Sequence, residues 1–334
     1  MLVPFVIDAD SLAPDPAWTP TQQRACYIGL LETWQRAGLL AYDGKALLGS
    51  KLHQAIQALP QNVRPRWQEV LERAPLLAAP QWDGCVSAKT LNDFARVAQL
   101  ALVDDTRAEI DFGINIDCDE VFNPINGINV SICRILVAGQ ANAFHAATAL
   151  AGAHIEAGDT FQTTWSARFK ALANAPIKLV SIVDRYAIGQ HMLCPQTKLS
   201  GLERFLKLLD SDANGNRHVT IYSAWTADLS GENRKTFEDI EAEISSLFGK
   251  YNKNIKRIKI YMVPNSGFRD DGHDRFIRFT DYVWDIGLGL EVFDGAYSTK
   301  RSSASFKSGA AIRGYKEVEQ ALANNIDTKS KEIK

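Results

Sequence analysis

Residues 271–293 read DGHDRFIRFTDYVWDIGLGLEVF. Phe276, Ile277, Phe279, Tyr282, Val283, Trp284 and Ile286 are strand-forming side chains, set close to the alternation of a strand with one face in a core. His273, Arg275, Arg278 and Asp281 interrupt that pattern, and a turn carrying Gly287 and Gly289 follows. Polar groups in a core strand are costly unless they find partners. The stretch therefore marks both an expected strand and a candidate site.

Working outward, strands and helices alternate. TWSARFKALA, SGLERFLKLLDS and ENRKTFEDIEAEISSLFGKY have helical period, whereas IKLVSIVDRY, HVTIYSAW and IKRIKIYMV read as strands. A helix over about Tyr315–Asn324 and a polar tail, DTKSKEIK, close the chain. This alternation predicts a parallel or mixed sheet with helices on its faces. In the first half, LVPFVI reads as a strand ending at Asp8, Ala9 and Asp10. CYIGLLETWQRAGLL, KALLGSKLHQAIQAL, RWQEVLERA and AKTLNDFARVAQLALV have helical period, and EIDFGINIDCDEVF alternates like a strand. The stretch GAHIEAGD at 152–159 is the expected boundary. The expected fold is α/β in two domains, an N-terminal α/β domain over 1–155 and a second over 156–326, with 327–334 as a tail.

Composition excludes several classes. The 334 residues are 46% hydrophobic and 23% charged, with no apolar run long enough for a bilayer. A net charge of −2 gives no global attraction to nucleic acid or anionic lipid, so a local cluster of bases has to supply it. Cys26, Cys85, Cys118, Cys133 and Cys194 are odd in number and without regular spacing, which predicts neither a disulfide framework nor a zinc site and fits a reducing cytoplasm. The start, MLVPFVIDADSL, lacks the features of a signal peptide. A glycine-rich phosphate loop, a G-x-S-x-G elbow and an H-E-x-x-H helix are absent from the sequence.

With HDRFIRF, Trp284 and IGLGL on one side, and Asp184-Arg185-Tyr186 before Gln190-His191 on the other, the C-terminal half resembles the phospholipase D-like domain found behind MIT modules. The resemblance covers roughly residues 160–320 and implies a mixed sheet flanked by helices. Active members of the wider superfamily carry a histidine, a lysine two residues later and an aspartate five residues beyond, twice per active unit. Carried onto this chain, His273 takes the place of the nucleophile and Arg275 that of the lysine, offering a fork for phosphoryl oxygens. Thr280 stands at the aspartate position, with Asp281 one residue late. A single motif implies that the second histidine comes from a homodimer or from His191. Asp184, Arg185, Tyr186, Arg278, Gly287 and Gly289 are the expected ligand-binding residues, and no cofactor is implied. Relatives with an HDRF signature occur among nuclease-like proteins of prokaryotic conflict (antiviral defence) systems, so the expected ligand is nucleic acid within a protein assembly. The alternative is an inactive module that binds phosphoinositide membranes or a protein partner.

The opening FVIDADSL is similar to PIN-like nucleases, in which carboxylates at strand ends hold Mg²⁺ or Mn²⁺. That similarity implies a metal site built from Asp8, Asp10, Asp117 and Asp119.

Overall fold

The computed structural model describes residues 2–43, 47–74, 76–79, 82, 84–116, 120–125, 128–225, 235–271 and 275–334. The chain is mixed α/β with two mixed sheets, and it divides into two compact units, Met1–Ala149 and Leu150–Lys334. Among the described residues no helix is long and apolar enough to cross a membrane. His273, Asp117 and Asp119 lie outside the described residues.

The first unit is built on β1 (Val3–Ile7), β2 (Gly38–Tyr42), β3 (Leu76–Ala78), β4 (Leu100–Leu102), β5 (Val121–Ile125) and β6 (Ile128–Cys133), in the order β3-β2-β1-β4-β6-β5. Every pairing is parallel except that of β5 with β6. Alternation along β1 sends Val3, Phe5 and Ile7 to one core with Trp34, Trp67 and Phe144, and Val6 to another with Leu91, Phe94 and Ile132. Both faces are thus covered, as a parallel sheet requires. The chain runs outward from β1 to β3 and then returns to β1's other side as β4. This makes the carboxyl ends of β1 and β4 the place where strand order reverses, the usual position of a ligand crevice in open α/β sheets.

Two segments differ from their sequence patterns. AKTLNDFARVAQLALV forms a helix only over Leu91–Ala95 and then enters the sheet as β4, because Leu100, Ala101 and Leu102 are fully buried between β1 and β6. EIDFGINIDCDEVF begins within the helix Asp105–Phe112. There Asp104 caps the first turn through the Arg107 N–H, and Gly113, at φ +65°, ends it in the left-handed conformation.

The second unit contains β7 (Leu179–Val183), β8 (Arg217–Trp225), β9 (Ile255–Pro264), β10 (Phe276–Phe279), β11 (Tyr282–Ile286), β12 (Ala304–Ser308) and β13 (Lys329–Ile333), in the order β12-β11-β10-β7-β8-β9-β13. β7, β8 and β9 are parallel, and the remaining strands pair antiparallel. Within the 271–293 stretch, residues 276–286 form a hairpin and not one long strand: Thr280 and Asp281 form its turn, with Thr280 at φ +47°. The expected polar tail pairs with β9 as β13. On one face, Phe276, Val183, Tyr222 and Val263 pack against Leu322 of the helix Arg313–Asn324. An aromatic cluster of Trp165, Phe169, Phe205, Phe293 and Trp284 is fully buried, and Trp284 donates its indole N–H to the Arg168 carbonyl at 2.8 Å.

Candidate functional site

Of the expected residues of the second unit, Asp184, Arg185, Tyr186, Arg275 and Gly289 meet at the carboxyl end of β7. Phe276 pairs with Val183, which sets Arg275 beside Asp184 at the next position along the ladder, and the Ile286 N–H donates to the Arg275 carbonyl at 2.8 Å. Asp184 is buried, and both its oxygens take backbone protons: Oδ1 from the Tyr186 N–H at 2.9 Å, Oδ2 from the Leu290 N–H at 2.8 Å. Burial pushes its carboxyl above the ordinary aspartate range, while these two N–H groups and the Arg275 charge pull it down. Asp184 thus braces the turn after β11.

Gly289 is required in that turn. It sits at φ +58°, and a Cβ there would overlap Asp184 Oδ2 and fall 2.8 Å from Arg275 Cδ. Gly287 donates its N–H to the Ser303 carbonyl at 3.0 Å, and the Leu288 N–H donates to Ser302 Oγ at 3.1 Å. Buried Ser302 thus holds the turn after β11 from a segment further along the chain.

Around this brace stand two guanidinium groups. That of Arg275 lies 4.9 Å from the Tyr186 ring centre and that of Arg185 5.5 Å from it. Arg185 donates Nε and Nη2 to Asn265 Oδ1 at 2.9 and 2.6 Å; Asn265 opens the helix that follows β9. Among the described residues Arg275 makes no hydrogen bond or ion pair through its side chain. The arrangement offers fork-shaped donors and an aromatic face, the elements of phosphate and nucleotide recognition.

Three other expected residues are engaged elsewhere. Arg278 is buried in a two-pronged pair with Glu319: Nε to Oε1 at 2.6 Å, and Nη2 to Oε2. It also donates to the Thr280 carbonyl and to Ser181 Oγ, which makes it a core tie to the C-terminal helix. Asp281 is exposed in the hairpin turn and pairs with Lys316 at 3.0 Å. It lies beyond the opposite end of β10 from Arg275, roughly 13 Å of strand away, so one strand does not gather the expected motif.

His191 is buried with both ring nitrogens partnered, Nδ1 to Ser200 Oγ at 2.7 Å and Nε2 to Glu243 Oε1 at 3.2 Å. Ser200 caps the helix Gly201–Asp212 by accepting the Glu203 N–H; the Glu243 carboxylate can only accept, so Nε2 carries the proton given to it, and in the neutral ring Nδ1 accepts from Ser200 Oγ. His191 thus has no nitrogen left to protonate a leaving group. Nothing in the sequence marks Asn265, Ser200 or Ser302 as partners here, because each arrives from a different element.

In the first unit Asp8 follows β1 at the point where strand order reverses, its N–H held by the Leu102 carbonyl at 2.8 Å. Its buried carboxylate meets Arg107 Nη1. Arg107 Nη2 donates to the carbonyls of Cys85 and Ala88, and Nε to Asp111 at 3.2 Å. Arg134, directly after β6, pairs with Asp15 and, at 3.1 Å, with Asp105. Asp10 is exposed in the turn after Asp8. A divalent ion needs open carboxylate oxygens, and the guanidinium of Arg107 occupies Asp8 Oδ2.

A scan against protein-family models finds no family that matches the chain, and a search of curated proteins finds no match.

Proposed function

We propose that the second unit is a phospholipase D-like module that recognises a phosphodiester of nucleic acid, as a nuclease or nuclease-derived component of a larger defence assembly. The observation that carries this is the placement of Arg185 and Arg275 about Tyr186 at the carboxyl end of β7, with Arg275 unpaired among the described residues. The Asp184 carboxylate, which would otherwise neutralise Arg275, is taken by two backbone N–H groups. Stacking on Tyr186 and bidentate donation from Arg275 suit a base and its adjacent phosphate. The HDRFIRF resemblance adds His273 as the nucleophile of a cofactor-free reaction, completed by the same residue of a second copy, since His191 is occupied.

The test is fluorescence anisotropy with labelled single- and double-stranded DNA and RNA across a salt series, alongside vesicles containing phosphoinositide. Arg275→Ala weakens oligonucleotide binding by about tenfold, equivalent to about 1.4 kcal/mol, and lowers the salt slope by about one. Cleavage that persists in EDTA and is lost in His273→Ala identifies the enzyme. Unchanged affinity in Arg275→Ala and Tyr186→Ala defeats the proposal, and binding to vesicles alone replaces nucleic acid with a lipid headgroup.

A further inference from the structure

The strand order of the first unit and the position of Asp8 fit a metal-dependent nuclease edge, but the side chains around Asp8 do not. Asp8 and Arg107 expose only 2% and 12% of their side chains. Every nitrogen of the guanidinium is engaged: Nη1 by Asp8, Nη2 by two carbonyls, Nε by Asp111. Its carbon also lies 5.8 and 5.7 Å from the rings of Phe94 and Phe112. A divalent ion bound through Asp8 Oδ2 would have to expel this group, leaving the Cys85 and Ala88 carbonyls without their donor and a cation without its carboxylate. The neighbouring pair of acids, Asp15 and Asp105, shares Arg134 in the same manner.

We infer that Arg107 is the built-in cation of this carboxylate edge, standing where a Mg²⁺ or Mn²⁺ ion would otherwise contact Asp8. Its work is mechanical. It fastens the turn at Cys85–Ser87 over the end of β1 and fixes the first turn of the helix Asp105–Phe112 against it. The assignment of Arg107 does not depend on any activity of the second unit.

The experiment is titration of Mn²⁺ into the full chain, wild type and Asp8→Asn, by calorimetry, with melting recorded in Mn²⁺ and in EDTA. Heats that are the same for both proteins, and a wild-type melting temperature that neither addition moves, are expected. Asp8→Asn and Arg107→Met each lower the melting temperature, and the double variant melts no lower than the worse single one, because the Asp8–Arg107 bond is already lost in Arg107→Met. Saturable wild-type binding of Mn²⁺ that Asp8→Asn abolishes overturns the inference, as does an Arg107→Met variant as stable as wild type. Should Asp8→Asn fail to fold, a wild-type melting temperature raised by Mn²⁺ and restored by EDTA overturns it alone, since a ligand bound to the native state stabilises by mass action.

Discussion

Gly289→Ala tests whether the candidate site rests on the Asp184 brace. The substitution places a Cβ on a residue at φ +58°, which costs about 1–2 kcal/mol for an L-residue in the left-handed region. It also drives that Cβ into Asp184 Oδ2, with Asp184 Cγ and Arg275 Cδ each 2.8 Å away. Asp184 yields only by loosening its bond from the Leu290 N–H or the Tyr186 N–H. A hydrogen bond to a charged group is worth about 1.5–3 kcal/mol, so the sum is roughly 2.5–5 kcal/mol. Gly287→Ala is the control, because its Cβ meets the side-chain oxygen of exposed Ser303 at 2.5 Å and little else. That hydroxyl rotates away, and the expected loss is under about 1 kcal/mol. Urea denaturation followed by tryptophan fluorescence, with buried Trp165 and Trp284 as reporters of this unit, gives both values. The displaced Asp184 also shifts Arg275, so Gly289→Ala weakens oligonucleotide binding where Gly287→Ala leaves it within about twofold. Equal urea midpoints for the two variants would refute the reasoning.

Two further outcomes follow from buried charges. Arg278→Met strands Glu319 beneath the C-terminal helix and costs about 3–5 kcal/mol, while Arg278→Met combined with Glu319→Leu recovers most of the loss; urea midpoints of the three proteins decide it. For His191, burial lowers the pKa, against the pull of Glu243, whose side chain is 42% exposed. A native state that resists protonation binds fewer protons than the unfolded chain, so the stability contributed by neutral His191 is full above about pH 6.5 and declines as pH falls below it. His191→Gln therefore flattens the fall in stability between about pH 7 and pH 5, and an unchanged slope shows that the ring titrates as freely as in the unfolded chain.

Legibility in the sequence follows the source of each restraint. Helices with an apolar stripe and a local cap, such as Gly201–Asp212 with Ser200 or Phe237–Lys250 with Thr236, were readable because their determinants lie within a few residues. β4 was hidden because Leu100–Leu102 is too short and too uniformly apolar to show a period, and only its position between β1 and β6 makes it a strand. β13 was hidden for the opposite reason: Lys329–Ile333 is polar and exposed, and pairs with β9 through its backbone. At the site, Asp184, Tyr186, Arg275 and Gly289 were singled out through the motif resemblance, and the fold brings them together. The partners of Arg278, His191 and Asp8 were not. Glu319, Glu243 and Arg107 are 41, 52 and 99 residues away, and no spacing rule reaches across a fold.

The two sheets solve one electrostatic problem in opposite ways. Each places a buried aspartate just after a parallel strand where strand order reverses, and each has an arginine beside it. In the first unit the arginine comes from a helix and takes the carboxylate directly, so the positive charge is consumed within the protein. In the second, a glycine at φ +58° lets the chain pass close enough for the Leu290 N–H to take the aspartate instead. The arginine there is bound through its backbone to β11 and stacked on Tyr186, with its side-chain donors unspent among the described residues. The same pair of residue types therefore forms a direct ion pair at one edge and leaves the arginine donors of the other without a hydrogen-bond partner among the described residues. The difference lies in a backbone approach that any side chain larger than glycine prevents.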